Sequence, residues 1–209
     1  MLTAMDVFQR GAVIPVMVIK NIRHAVPLAK ALLQGGIKTL EITLRSEVAL
    51  EAITQLRDAF PEALIGAGTV TTPRQLEHCI EAGAAFALSP GATPALLDAG
   101  QKVDIPFIPA VSSASDIMLG MEYGYQCFKF FPAEASGGIL ALKAFSGPFP
   151  EVRFCPTGGL HQNNFTSYLS LENVLCIGGS WVLPELLIQQ ENWEEITNLC
   201  LMVRELIKN

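Results

Sequence analysis

The residue of this 209-residue chain best suited to covalent chemistry is a lysine set among aromatic rings, in Phe128-Lys129-Phe130-Phe131. Side chains alternate along a strand, so Phe128 and Phe130 share one face and Lys129 takes the other. In Leu40-Glu41-Ile42-Thr43-Leu44-Arg45 the apolar residues share a face, and Glu41, Thr43 and Arg45 share the opposite one. Burying an ammonium or a carboxylate is costly unless it is paired or neutralised. Free lysine, with a pKa of about 10.4, is almost entirely ammonium at neutral pH. Desolvation lowers that pKa, and a neutral amine attacks ketones. The expected chemistry is Schiff-base formation at Lys129, with Glu41 nearby to carry protons. The competing expectation is structural: an ion pair of Glu41 with Lys129, or with Arg45.

Two glycine pairs suggest an anion site. Pro156-Thr157-Gly158-Gly159 and Gly178-Gly179-Ser180 follow the last two strand-like runs. Glycine lets backbone approach an anion closely. In phosphate-binding barrels the loops after the seventh and eighth strands supply such backbone. The bland alternative is a pair of tight turns. His161 reads as a solvent-exposed residue at a helix start, with a phosphate contact as the alternative.

The elements that must position these groups alternate regularly. Strand-like runs cover 13–19, 38–44, 64–69, 86–88, 106–109, 126–130, 152–155 and 174–177. Amphipathic stretches at 22–34, 46–60, 73–82, 94–102, 114–122, 138–145, 163–168, 184–189 and 193–208 read as helices. A short helix over 4–9, capped by Thr3, precedes the first strand. Thr72-Pro73 and Thr93-Pro94 read as N-cap followed by proline in the first turn. The pattern predicts an α/β protein, a (β/α)₈ TIM barrel with a short N-terminal helix, as a single domain over 1–209. A doubly wound open sheet would carry a glycine fingerprint after its first strand, and Lys-Asn-Ile-Arg stands there instead. Barrel enzymes keep their sites at strand C-terminal ends, where Glu41, Arg45, Thr69, Lys129 and Thr157 fall.

Composition narrows the partners. The net charge is -6 and no basic stripe occurs, which argues against nucleic acid. Apolar runs are far shorter than a membrane span, and the N-terminus lacks a signal-peptide pattern. A cytoplasmic location is expected. The five cysteines, an odd number without a CxxC pair, read as reduced thiols. No metal-ligand constellation is apparent.

Taken together, these residues resemble the 2-keto-3-deoxy-6-phosphogluconate (KDPG) aldolase / 4-hydroxy-2-oxoglutarate aldolase family. The matching segments include 40–45, Gly66-Ala67-Gly68-Thr69-Val70, Ser89-Pro90-Gly91, Phe128-Lys129-Phe130-Phe131-Pro132-Ala133-Glu134, Arg153-Phe154-Cys155-Pro156-Thr157-Gly158-Gly159 and Gly178-Gly179-Ser180-Trp181. The resemblance implies a cofactor-free and metal-free class I aldolase, assembled as a homotrimer and acting on a 2-keto acid or phosphosugar acid. It implies Lys129 as the Schiff-base lysine and Glu41 as the general acid/base. Arg45, Thr69 and Thr157 would surround the carboxylate and keto end. Gly158, Gly159 and Ser180 would hold the phosphate, with Pro90 and Gly179 also among the substrate-binding residues. Two departures bear on substrate preference: Ala110 where the family usually has glycine, and His161 where a small hydroxyl residue is common. Alternatives are an aldolase for the galactonate analogue, a phosphosugar isomerase or epimerase, and a non-catalytic phosphosugar-binding barrel.

Overall fold

In the computed structural model, which describes residues 1–208, parallel strands and intervening helices bring every strand's C-terminal end to one rim. The strands are β1 (Val13–Met17), β2 (Thr39–Thr43), β3 (Leu64–Gly68), β4 (Ala87–Leu88), β5 (Phe107–Ile108), β6 (Ala110–Val111), β7 (Cys127–Phe130), β8 (Arg153–Pro156) and β9 (Ile177–Gly179). The helices are α1 (Ala4–Gln9), α2 (Ala25–Gln34), α3 (Ala49–Ala59), α4 (Pro73–Glu81), α5 (Pro94–Gln101), α6 (Ala114–Glu122), α7 (Gly138–Ser146), α8 (Phe165–Leu169), α9 (Glu185–Gln189) and α10 (Trp193–Lys208).

One ladder runs β5-β4-β3-β2-β1-β9 and the other β6-β7-β8. They meet at both seams. At one, β5 and β6 are successive halves of a single strand interrupted at Pro109, whose carbonyl accepts from Lys129 N at 3.0 Å. At the other, bridges Phe154–Val174 and Thr157–Gly178 join β8 to the segment of β9. The expected (β/α)₈ arrangement follows, with a broken fifth strand that extends past the expected 106–109.

Strand alternation sorts the side chains as the apolar pattern requires. Leu40, Ile42, Phe128 and Phe130 join the large core between strands and helices. A second buried cluster fills the ring: Ile14, Phe86, Leu88, Ile108, Cys127, Cys155 and Cys176. Val7 and Phe8 of α1 pack into it, so the short helix stoppers the ring. Its start is fixed by a capping box in which Thr3 and Asp6 satisfy each other's backbone N–H groups. Thr72 and Thr93 cap α4 and α5 with proline in the first turn, as expected. Ser113 and Asp116 form a second capping box on α6.

Some boundaries differ from expectation. The first strand stops at Met17, and a 3-10 turn, Ile22–His24, leads into α2. α3 begins at Ala49, because no side chain caps the stretch before it. The last strand is 177–179, not 174–177, so Gly178 and Gly179 lie within it instead of in a following loop. A Cβ on Gly178 would fall 2.2 Å from Thr157 Oγ1, so the missing side chain is what lets the strands close. All five cysteines are buried free thiols. Among the described residues no helix is long and apolar enough to cross a membrane.

Candidate active site

Glu41 of β2 and Lys129 of β7 reach each other across the ring. Lys129 Nζ donates to Glu41 Oε1 at 2.8 Å, with the two side chains 7% and 1% exposed. Neighbouring strands make the room. In β3, the residue paired with Glu41 is Gly66, and a Cβ on Gly68 would stand 2.1 Å from Oε1. Lys129 is in register with Ala110 on one side and Cys155 on the other. Ala110 is itself buried, so its methyl stands beside the lysine's strand position.

The alternation expected around Lys129 holds here. Of the three phenylalanines flanking Lys129, Phe128 and Phe130 point outward to the helices. Only Phe131 approaches the amine, with its ring centroid 5.7 Å from Nζ. The amine is also paired, as in the competing ion-pair reading. That pairing does not remove it from chemistry: a carboxylate in direct contact is where the amine's proton can go when the nitrogen attacks.

The rim carries the remaining predicted residues. Arg45 lies beyond the end of β2, exposed, in a bend where its N–H donates to Thr43 O at 2.7 Å. The expected alternation therefore stops at Thr43, whose hydroxyl donates to Met17 O at 2.7 Å. The Arg45 guanidinium has no hydrogen bond or ion pair among the described residues. Arg45 and Ser180 line a cavity of about 530 Å³, at whose edge Lys20 pairs with Glu185. Neither Lys129 nor Glu41 lines this cavity. Thr69 follows β3 with φ +59°. A left-handed β-branched residue stores strain, and such strain concentrates at functional positions. Pro90 is exposed just after β4, next to Ser89, whose hydroxyl donates to Gly91 O at 2.6 Å. Thr157 is buried, its hydroxyl donating to Cys155 O at 3.3 Å.

The loop after β8 is turned by its carbonyls. Thr157 O accepts from Ala133 N at 2.8 Å, Gly158 O from Glu134 N at 3.1 Å, and Gly159 O from Asn164 Nδ2 at 3.2 Å. In a planar trans peptide the next N–H points the opposite way. Gly159 and Leu160 N–H therefore face away from these anchors, and neither has an acceptor among the described residues. Gly158 and Gly159, at φ +101° and +81°, supply the conformation the turn requires. Ser180 is exposed at the end of β9. Gly179 lies inside β9, where a Cβ would stand 1.8 Å from the Trp181 ring, itself stacked on Phe165. His161 is exposed, and its Nδ1 accepts from Asn163 N at 3.2 Å.

The sequence reading missed Gly68 and the support behind the loop, where the Tyr168 hydroxyl donates to Glu134 Oε1. The signal for the first was present: small residues at 66 and 68 on the face shared with Glu41. Among the described residues no group of three or more His, Cys, Asp or Glu is placed to hold a metal ion.

The KDPG and KHG aldolase family model matches residues 5–199. The chain is 55% identical to the 2-dehydro-3-deoxy-phosphogluconate aldolase of Pseudoalteromonas atlantica, over 94% of this chain and 92% of that one. It is 52% identical to the KHG/KDPG aldolase of Escherichia coli, with the same coverage. Among solved structures, the KDPG aldolase of Legionella pneumophila with pyruvate captured as a covalent carbinolamine superposes with a TM-score of 0.95. That protein is 55% identical, over 96% of this chain and 97% of that one.

Proposed function

This chain belongs to the KDPG and KHG aldolase family, and on that premise we propose that Lys129 and Glu41 carry a class I aldol cleavage of 2-keto-3-deoxy-6-phosphogluconate to pyruvate and glyceraldehyde 3-phosphate. The observation that carries the assignment of residues is the 2.8 Å contact between a buried amine and a buried carboxylate. Two charges are rarely taken from water for stability alone, since desolvation offsets most of their attraction.

In this reading Lys129 Nζ gives its proton to Glu41 and attacks the C2 ketone. Loss of water from the carbinolamine leaves a protonated imine. The imine accepts the electron pair of the C3–C4 bond as the C4 hydroxyl loses its proton, releasing the aldehyde. The enamine is then protonated at C3, and water returns the amine and pyruvate. Glu41 is the proton carrier in these steps, directly or through water. Arg45, whose guanidinium is unpaired among the described residues, suits the carboxylate because its planar fork binds two oxygens at once. Gly159 N–H, Leu160 N–H and Ser180 suit the phosphate. The same site accommodates 4-hydroxy-2-oxoglutarate, which lacks the phosphate and yields pyruvate and glyoxylate. Rates on the galactonate analogue, measured side by side, rank the two C4 configurations.

Incubation with pyruvate and borohydride, followed by peptide mass mapping, should place one reduced adduct on Lys129. Lys129→Ala should take up none and should lose cleavage activity. An adduct on another lysine, or a Lys129→Ala protein of undiminished activity, would refute the assignment.

A further inference from the structure

We propose that Tyr168 and Glu134 are positioning residues for the phosphate end of the substrate, holding the backbone at Gly158 and Gly159 turned toward the anion and drawing the Glu134 carboxylate away from it. The inference rests on the reading of that loop as the phosphate site.

The contacts form a chain from the core to the loop. Tyr168, in α8, is fully buried. Among the described residues its hydroxyl has one hydrogen-bond partner, Glu134 Oε1. Burial, with that carboxylate beside it, raises the phenol's pKa, so Tyr168 stays a donor. A Cβ at Gly138, where φ is +55°, would fall 2.8 Å from Tyr168 Oη, so the glycine leaves the hydroxyl clear. Glu134 opens the 3-10 turn Glu134–Ser136 and touches the loop twice. Its N–H donates to Gly158 O at 3.1 Å. Its stem lies against Gly159, where a Cβ would meet Glu134 Cγ at 2.5 Å and Cβ at 2.7 Å.

A carboxylate at this place needs an explanation. The stem of Glu134 lies against Gly159, in the loop that would take a phosphate, and a carboxylate turned toward a bound phosphate repels it. A hydroxyl that is anchored in the core and donates to Oε1 directs that charge toward α8. The same bond holds the backbone whose N–H fixes Gly158. Tyr168 and Glu134 touch no reacting atom in this arrangement, so their effect should depend on whether the substrate carries a phosphate.

The test compares phosphorylated and unphosphorylated substrates. Tyr168→Phe keeps the ring and removes the donor. It should raise KM for the phosphogluconate substrate by about tenfold, the size of one lost hydrogen bond to a charged group. KM for 4-hydroxy-2-oxoglutarate and the rate of pyruvate trapping at Lys129 should stay within about twofold of wild type. Glu134→Gln retains an acceptor and removes the charge, so it should leave the phosphogluconate KM low. Glu134→Ala, at an exposed residue, removes the brace and the charge together, so its phosphogluconate KM should rise less than that of Tyr168→Phe but above that of Glu134→Gln, and it carries the test if the buried variant does not fold. Equal losses on both substrates, or none on either, would overturn the proposal. Competitive inhibition of the wild type by inorganic phosphate separates the two levels. A phosphate-insensitive wild type overturns the phosphate-site reading and this inference together. A phosphate-sensitive wild type with variants blind to the substrate's phosphate overturns this inference alone.

Discussion

Whether Glu41 meets Lys129 depends on an absence in the next strand. Gly68 leaves open the space the carboxylate occupies, and an added methyl would stand 2.1 Å from Oε1 and 2.7 Å from Cγ and Cδ. The atoms in its way belong to the end of a side chain, so the clash is relieved by moving the carboxylate and not by opening the ring. Gly68→Ala should therefore fold and lose activity. Displacing a catalytic group by about an ångström costs on the order of 10²-fold, and kcat for cleavage should fall by about that much. A variant with wild-type kcat would show that the carboxylate's position does not matter. The faces of Glu41 and Lys129 were legible in the sequence, because a two-residue period admits only one apolar side. Their contact was not, because it joins residues 88 positions apart through closure of the ring. Arg45 was misplaced for a local reason: alternation holds only while the strand lasts, and β2 ends at Thr43.

At the scale of elements, helix starts were legible where a side chain caps them, and that of α3, which no side chain caps, was blurred. Thr72, Thr93 and Ser113 each accept from the N–H of the third residue of their helix, and those starts agree with expectation. α3 has no such cap, and its start lay three residues later than expected. The glycines of β9 read as a turn because their lack of side chains serves packing against Thr157 and Trp181, partners the sequence does not name. The α6 cap is the sharpest test. Burial alone would raise the Asp116 carboxyl pKa. Hydrogen bonds from Ser112 and Ser113 outweigh it and hold the group below its ordinary 3.8. Ser113→Ala should cost about 1 kcal/mol, or roughly 2–4 °C in Tm, with catalysis unchanged. A depressed carboxyl stabilises the fold above its unfolded pKa and loses that contribution as pH falls through the folded value. The gap between Ser113→Ala and wild type should therefore narrow below about pH 4. A gap independent of pH would mean that the charge on Asp116 plays no part in the cap.

Seen whole, the ring is divided along its axis. Its floor is apolar, sealed by Val7 and Phe8 and built partly from Cys127, Cys155 and Cys176, while Glu41 and Lys129 stand above it toward the rim. Eight strand–helix repeats made the barrel legible in the sequence; that α1 would stopper it was not, since a helix pattern gives no destination. The floor and the helical shell leave the fold sensitive to alkali. Burial pushes the Cys127 thiol up to about 11 and the Cys79 and Cys200 thiols to about 12, against an ordinary 9.0. Burial also raises the Tyr125 phenol, whose neutral hydroxyl donates to Leu97 O at 2.8 Å, to about 12. Each of these groups is neutral in the fold and ionises more readily once unfolded. Their contribution is complete below pH 9 and drains away as pH rises through the folded values near 11–12. Each group removes up to about 1.4 kcal/mol per pH unit within its window, so the loss should reach a few kcal/mol by about pH 11. Urea unfolding at constant temperature should show a level stability from pH 7 to 9 and a steepening decline beyond. Lysines also lose charge in that range, so the decline in the wild type alone does not assign it to thiols. Cys79→Ala and Cys200→Ala remove a titrating group each and should start lower but fall more gently above pH 9. Parallel curves for wild type and variants would place the alkaline weakness elsewhere than in the buried sulfurs.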